Sequence, residues 1–223
     1  MKESIAVSST WKAPARRLMA AAEELFGIKG FESVSLVEIA RHAGQSNKYA
    51  VQYHFGSKED LVRAIFDCRL QSISQRRMVL LDALNTCESV SVRKLLEAFI
   101  YPVYEEVDEN GFHPYVRFAE RMLETADGER IWCSSAHFKT TSEIFRRIRS
   151  VCQDMSDEMF DARVRLVCEM LIRTLLLIDQ HKKKMSNTAP SENEHLLLNT
   201  SIDLACLAFS SASATGRNIA TGA

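Results

Sequence analysis

The stretch AGQSNKYAVQYHFGSKEDL, from Ala43 to Leu61, gathers many polar side chains in one short segment directly before a new helix start. Its apolar residues Ala50, Val51 and Phe55 fall at helical spacing. The rest of the surface of such a helix carries amide, amine and hydroxyl groups, which a buried segment would not tolerate without partners. The stretch therefore predicts a short, exposed helix that presents polar side chains to a binding partner.

A tight turn and two capped helices surround this segment. Ser35 followed three residues later by Glu38 is a capping box, which predicts a helix start at Ser35. Gly44 stands where the C-terminal cap of that helix favours a left-handed residue. Ser57, with Asp60 three residues on, predicts the N-terminus of the next helix. This order of helix, turn and short polar helix is typical of a helix-turn-helix domain.

The polar residue types indicate DNA as the partner. Asn, Gln and Lys side chains match base edges in the major groove, while Tyr and His reach phosphates. Lys58 lies in the first turn of its helix, where the macrodipole disfavours a cation, so a nearby phosphate is indicated. The alternatives are that Ser35 is only a cap, that His54 packs beside Phe55, and that Asn47 and Lys48 form a solvated turn. The predicted DNA-contacting residues are Ser35, Gln45, Asn47, Lys48, Tyr49, Gln52, Tyr53, His54 and Lys58.

Two segments carry a family resemblance: RRLMAAAEELFGIKGFESVSLVEIARHAG, from Arg16 to Gly44, and YHFGSKEDLVRAIF, from Tyr53 to Phe66. Together they resemble the amino-terminal domain of the tetracycline-repressor (TetR) family of bacterial transcriptional regulators. The spacing from Gly44 to Phe55 is one residue longer than is usual there, and Gln52 stands where Tyr is usual. The segment N-x-x-A-V-x-Y-H-F-G resembles a subgroup of the family. The resemblance implies a ligand-responsive, DNA-binding regulator, most often a repressor, that binds an inverted repeat as a homodimer.

Composition favours an all-α protein of ordinary solubility. Of 223 residues, 46% are hydrophobic and 26% are charged, and only eight Gly and four Pro interrupt helices. No apolar run approaches the roughly 20 residues of a spanning helix, and the N-terminus MKESIAVSST lacks a signal-peptide core, so we expect a cytoplasmic protein. Six cysteines without a Cys-x-x-Cys spacing predict reduced thiols.

The charge distribution permits a nucleic-acid surface near the N-terminus. The net charge is −1 overall. Up to Arg63 the chain has nine Lys and Arg against seven Asp and Glu, whereas the remainder has nineteen against twenty-two. This asymmetry is mild, and charge bears on association rather than on fold.

Catalytic and metal-binding motifs are missing from the sequence. The six histidines show no metal-ligand spacing, and there is no His-Glu-x-x-His, phosphate-binding glycine loop or Gly-x-Ser-x-Gly. We therefore expect no enzymatic activity, no catalytic residue, no metal and no cofactor. Two alternatives remain: a protein-interaction adaptor that keeps the fold without binding DNA, and a helical enzyme.

Helical periodicity predicts about nine helices, and the chain is expected to divide into four segments. These are a flexible arm over 1–13, the helix-turn-helix domain over 14–57, a helical ligand-binding and dimerisation domain over 58–211, and a disordered tail over 212–223. The fourth helix spans Lys58 to Asn85, the fifth ends at Asn110–Gly111, the sixth begins at Pro114, and the seventh runs from about Glu129 to Asp154. Ser156 caps the eighth, and a ninth follows a polar linker.

The last two helices predict a dimer interface. VRLVCEMLIRTLLLI in the eighth is apolar nearly all round, and EHLLLNTSIDLACLAFS in the ninth has two apolar sides, so both need neighbours on more than one side. A twofold four-helix interface would supply them, the alternative being burial inside one subunit. The predicted interface residues are Val167, Met170, Leu171, Leu175, Leu197, Leu204 and Ala208.

A mostly apolar effector cavity is also expected in the C-terminal domain. We predict that aromatic and sulfur-containing side chains line it, together with a few polar groups. The alternative for each residue is that it belongs to the ordinary core or surface and does not line a cavity. These residues are Tyr104, Phe118, Met122, Trp132, His137, Phe138, Phe145, Met170 and Arg173. The mix indicates a bulky hydrophobic effector, with Arg173 available for an acidic group.

Overall fold

The structure of the protein, a computed structural model, describes residues 11–86, 89–125, 128, 130–131, 139–184 and 192–210. Within these ranges it contains nine helices and no strand, so the all-α prediction is confirmed. No helix in the described ranges is long and apolar enough to cross a membrane. The helices are α1 (Ala13–Lys29), α2 (Leu36–His42), α3 (Ala50–Phe55), α4 (Lys58–Asn85), α5 (Val92–Tyr104), α6 (Pro114–Leu123), α7 (Lys139–Val151), α8 (Asp157–Lys184) and α9 (Glu192–Ser210).

Two helix ends differ from the sequence predictions. Helix α5 ends at Tyr104 rather than at Asn110–Gly111, because Asp108 Oδ1 accepts hydrogen bonds from the main-chain N–H groups of Asn110 and Phe112 and closes a turn. Helix α7 ends at Val151 rather than Asp154, where the Arg149 guanidinium donates to the carbonyl oxygens of Cys152 and Met155. In both places a side chain binds main-chain groups that a longer helix would have used.

The first compact unit comprises Met1–Leu80 and Tyr101–Thr141, and among described residues it holds α1 to α3, most of α4, and α6. Its core is aromatic: the Phe118 ring lies 5.0 Å from that of Phe66 and 6.3 Å from that of Phe26. Gly27 permits α6 to approach α1 closely, since a Cβ there would lie 3.2 Å from the main-chain nitrogen of Phe118. Helix α1 of the predicted DNA-binding domain therefore packs against α6, and α6 packs against α4.

A buried ion network also joins elements of this unit. The Arg69 guanidinium binds Glu23 at 2.8 Å and Glu106 at 2.9 Å, and Arg76 also binds Glu106. Both carboxylates are buried, and burial raises the pKa of Glu23 although Arg69 opposes that shift. Helix α1 is thus linked through α4 to the segment after α5.

The second compact unit comprises Leu81–Ile100 and Ser142–Ala223, and it contains α8 and α9 together with most of α5 and α7. Helices α8 and α9 are antiparallel neighbours: the rings of Phe160 and Phe209 are 5.7 Å apart at one end, and Lys182 binds Glu194 at 3.1 Å at the other. The domain boundary at residue 57 stays a prediction, since the first compact unit extends beyond it.

The described cysteines form no disulfide. Cys68 and Cys152 are buried, whereas Cys168 and Cys206 are half-buried. Cys87 and Cys133 lie outside the described residues.

Candidate nucleic-acid interface

The start of α2 shows half of the predicted capping box. Ser35 Oγ accepts a hydrogen bond from the main-chain N–H of Glu38 at 3.1 Å. The Glu38 carboxylate, however, accepts from the Lys29 ammonium at 2.7 Å, and this bond lowers its pKa. Because Ser35 uses only an oxygen lone pair, its exposed hydroxyl hydrogen remains free to bind a phosphate.

The turn after α2 is a Schellman motif. Gly44 has φ +64°, its N–H donates to Arg41 O at 3.0 Å, and Gln45 N–H donates to Ala40 O at 2.9 Å. The chain is then non-helical until Ala50.

Asn47 helps to start α3. Its Oδ1 accepts from the N–H of Tyr49 at 2.9 Å, and its main-chain oxygen accepts from Ala50 N–H at 3.1 Å. One side-chain acceptor is therefore already engaged, and the Asn47 amide group is left to donate. Gln45 is half-buried, with its amide 3.4 Å from Ala43 O.

Helix α3 is anchored on one side and open on the other. Ala50 and Val51 are buried, whereas Gln52 is exposed, and Tyr49 and Tyr53 are 56% and 82% accessible. Three of the predicted DNA contacts thus share an exposed surface above a fixed apolar base. The Lys48 ammonium adds charge there, 5.0 Å from the ring centroid of Tyr49.

His54 takes an intermediate position at the end of α3. It is half-buried, with its ring centroid 5.0 Å from that of Tyr53 and 6.2 Å from that of Phe55. Its ring therefore packs beside Phe55, as the alternative interpretation held, while remaining partly accessible.

Lys58 has intramolecular partners that the sequence did not reveal. Its ammonium donates to the carbonyl oxygen of Phe31 and lies 4.2 Å from that ring centroid and 5.6 Å from the ring of Phe26. Burial lowers the pKa of Lys58. A phosphate is thus not needed to explain a cation at this helix N-terminus, and the DNA contact of Lys58 stays a prediction.

Several exposed cations at this end of the chain make no ion pair within the described ranges. They include a pair of arginines near the start of α1, its capping lysine and one residue in α4. By contrast, Lys29, Arg93, Arg146 and Arg173 are paired with carboxylates. Lys12, Arg16, Arg17 and Arg63 are among these cations.

The described residues among the predicted effector-binding set are divided between the two compact units. Tyr104, Phe118 and Met122 belong to the first unit, and the latter two are buried core residues. In the second unit, Phe145 packs against Phe99 at 5.2 Å, Met170 is half-buried, and Arg173 is exposed and binds Glu169 at 3.2 Å. Trp132, His137 and Phe138 lie outside the described residues.

A cavity of about 450 Å³ lies within the second unit, at the ends of α5, α7 and α9. None of the described residues predicted for the effector lines it. Its lining combines an aromatic ring, two thiols and charged groups, a mixture with no recognisable sequence spacing because it comes from three separate helices. The residues include Ser91, Arg93, Cys152, Asp154, Cys206 and Phe209.

The apolar faces of α8 and α9 differ in part from the predicted interface. Val167, Leu171 and Leu175 are buried within the single chain, and their place in a dimer interface stays a prediction. Met170, Leu197 and Ala208 are half-buried, and Leu204 is exposed. The exposed leucines, here called the leucine face, are Leu166 and Leu177 on α8 and Leu196, Leu204 and Leu207 on α9.

A metal site is not apparent in the described ranges, where no group of three or more His, Cys, Asp or Glu side chains is arranged to hold an ion. The arrangement of α1 to α4 instead offers hydrogen-bond donors and positive charge on a rigid helical base.

Comparisons with known proteins agree with this geometry. Residues 18–65 match the family model described as bacterial regulatory proteins, tetR family. A candidate tetR family transcription regulator from Shewanella sp. PV-4 is similar in structure, with a TM-score of 0.63 and 14% identity over 88% of this chain and 98% of that one. The TetR family transcriptional regulator PfmR from Thermus thermophilus has a TM-score of 0.54 and 20% identity over 88% and 97%.

At these identities the solved structures show the fold alone, and the match to the tetR family model covers residues 18–65. No curated protein matches the chain.

Proposed function

We propose that this protein is a tetR-type transcriptional regulator that binds an operator through α2, α3 and the start of α4. The observation that carries the proposal is the exposed row of Tyr49, Gln52 and Tyr53 on a short helix whose opposite side, Ala50 and Val51, is buried. Side chains held in this way can enter a major groove without local refolding. We expect a cytoplasmic, non-enzymatic protein that acts as a repressor.

The proposal includes a twofold homodimer. The leucine face leaves large apolar side chains exposed on two neighbouring helices, as a helical interface requires, and Leu166 and Leu207 are 70% and 62% accessible. A dimer would place two α3 helices in successive major grooves about 34 to 36 Å apart, so the operator should be an inverted repeat.

Regulation would come from a small molecule that prefers one conformation of the dimer. For its site we propose the 450 Å³ cavity of the second unit, whose size falls in the range of small-molecule pockets. The Phe209 ring and the thiols of Cys152 and Cys206 could contact the apolar part of the effector. Arg93 or Asp154 could bind a polar group at its end. If a screen finds an effector, a Cys206→Phe variant should keep DNA binding and lose the response.

The deciding experiment is selection of bound duplexes from a random DNA pool with the full-length protein at two salt concentrations. Enrichment of an inverted repeat, with weaker binding at higher salt, is the expected result. Absence of binding at both concentrations, with and without added candidate effectors, would contradict the proposal and favour the adaptor interpretation.

A further inference from the structure

The start of α1 is connected to the recognition helix by contacts between aromatic rings. Trp11 immediately precedes the α1 cap, and its ring centroid lies 5.2 Å from that of Phe55 at the end of α3. Phe55 in turn lies beside His54 at 6.2 Å, and His54 beside Tyr53 at 5.0 Å. Trp11, Phe55, His54 and Tyr53 thus form a continuous ring row.

The Trp11 end of this row carries concentrated positive charge. Lys12 is the residue next to Trp11, Arg16 lies one turn further along α1, and Arg17 follows it. All three side chains are exposed, and none makes an ion pair within the described part of the chain. These three residues are called the basic strip.

Positive charge is unfavourable at the N-terminus of a helix, where the basic strip lies. The first turn of α1 contains no acidic residue, and cations there are disfavoured by the helix macrodipole and by one another. Lys58, the other cation at a helix start in this domain, is stabilised by Phe31, whereas the basic strip has no such carbonyl or ring contact within the described residues. A polyanion outside the chain would offset the repulsion.

From the ring row and the charge together, we infer that the basic strip is a second DNA-contacting surface, which binds phosphates flanking the bases that α3 reads. Trp11 is the positioning residue, since its contact with Phe55 holds the strip beside the exposed end of α3. This inference rests on the proposed function and adds to it a binding surface outside the helix-turn-helix segment of residues 35–58.

We predict that the basic strip raises the affinity for DNA and does not affect which bases are preferred. Each phosphate contact contributes about 0.9 to the slope of log affinity against log salt on double-stranded DNA. Loss of all three charges should therefore reduce the magnitude of that slope by about 2 to 3 per subunit. The selected sequence should remain the same, because phosphate contacts do not specify bases.

The test compares three full-length proteins on the duplex selected by the wild type. One has Lys12→Gln, Arg16→Gln and Arg17→Gln, and a matched control has Lys139→Gln, Lys183→Gln and Lys184→Gln, which removes the same charge from exposed residues of the C-terminal part. We expect a reduced slope in the first and a slope within about 0.5 of the wild type in the second.

A Trp11→Ala and Trp11→Phe pair tests the positioning role. The alanine variant should bind the selected duplex more weakly and with a smaller slope, while phenylalanine, which keeps a ring against Phe55, should restore both. Equal slopes for the strip variant and its control would overturn this inference alone. Absence of duplex binding by the wild type would overturn the proposed function and the inference with it.

Discussion

Lys58 lies over the ring of Phe31 and donates a hydrogen bond to the carbonyl oxygen of the same residue. The two residues are 27 positions apart and join the start of α4 to the loop that follows α1. One side chain therefore closes the helix-turn-helix domain, because α2 and α3 lie between these two points in the sequence.

Replacing Lys58 should weaken this connection. We expect Lys58→Met to lower the free energy of unfolding by about 1.5 to 3 kcal/mol, since a charge-assisted hydrogen bond is lost and the Phe31 carbonyl keeps only the longer bond from the N–H of Val34, at 3.4 Å. Urea denaturation measures the effect. Arg63→Met, an unpaired and exposed cation of the same helix, is the control, with an expected change within about 0.5 kcal/mol. Equal stability of the two variants would contradict the stabilising role of the contact between Lys58 and Phe31.

The turn between α2 and α3 depends on backbone conformation at Gly44. Because φ is +64° and a Cβ added at this residue would meet no atom within 4 Å, the cost of Gly44→Ala should be conformational and about 1 to 2 kcal/mol. Gly44→Asn should cost less, since Asn tolerates the left-handed region. Urea melts of both variants check this. A stability for the alanine variant equal to that of the wild type would show that the turn can relax.

The stability of a variant that disrupts the buried ion network should depend on pH. Arg69→Met leaves Glu23 buried without a cation, whereas Glu106 keeps Arg76, and we expect the free energy of unfolding to fall by about 3 to 5 kcal/mol at pH 7. A carboxyl group whose folded pKa is raised is stabilising when protonated, and its contribution is lost as pH rises through that pKa. The loss should therefore shrink as pH is lowered from about 7 to about 5.

The matched control for Arg69 is Arg121→Met. Arg121 forms an exposed ion pair with Glu124 at 3.6 Å, so its replacement should change stability by less than about 1 kcal/mol at both pH values. A pH-independent loss for Arg69→Met would indicate a packing defect instead of an uncompensated Glu23 carboxylate.

Base reading and phosphate binding should separate within α3. We expect Gln52→Ala to change the preferred base at one position of each half-site, with about 1 to 3 kcal/mol of lost discrimination. Tyr53→Phe should weaken all duplexes alike, because it removes only a hydroxyl available to phosphate. Repeated selection from a random pool distinguishes the two, and a changed consensus for Tyr53→Phe would reverse the assigned roles.

The leucine face makes the dimer testable. Leu204→Glu combined with Leu207→Glu places two charges on exposed positions of α9, and we expect a folded monomer in analytical ultracentrifugation at micromolar concentration. Val107→Glu, an exposed apolar residue of the first unit, is the control and should leave the assembly unchanged. A double variant that sediments like the wild type would exclude this face as the interface.

The helical boundaries that were predictable from sequence are those set by neighbours within a few residues. Ser35 Oγ accepts a hydrogen bond from the N–H of Glu38 and caps α2, and Ser57 Oγ accepts from the N–H of Asp60 at 3.0 Å. Gly44 takes the left-handed conformation. Each such interaction depends on side chains and main chain at fixed local spacing, so a single sequence determines it.

What only the tertiary structure decided involves residues far apart in the chain. Glu23 and Arg69 are 46 positions apart, and no local pattern reveals their contact. Likewise, helices α8 and α9 are apolar on more than one side, so sequence alone predicted a need for neighbours but not which side faces them. Packing of Phe160 against Phe209 accompanies the burial of Val167 and Leu171 and leaves Leu166 exposed. Periodicity specifies that a helix has faces, and only its packed neighbours determine which face remains available for function.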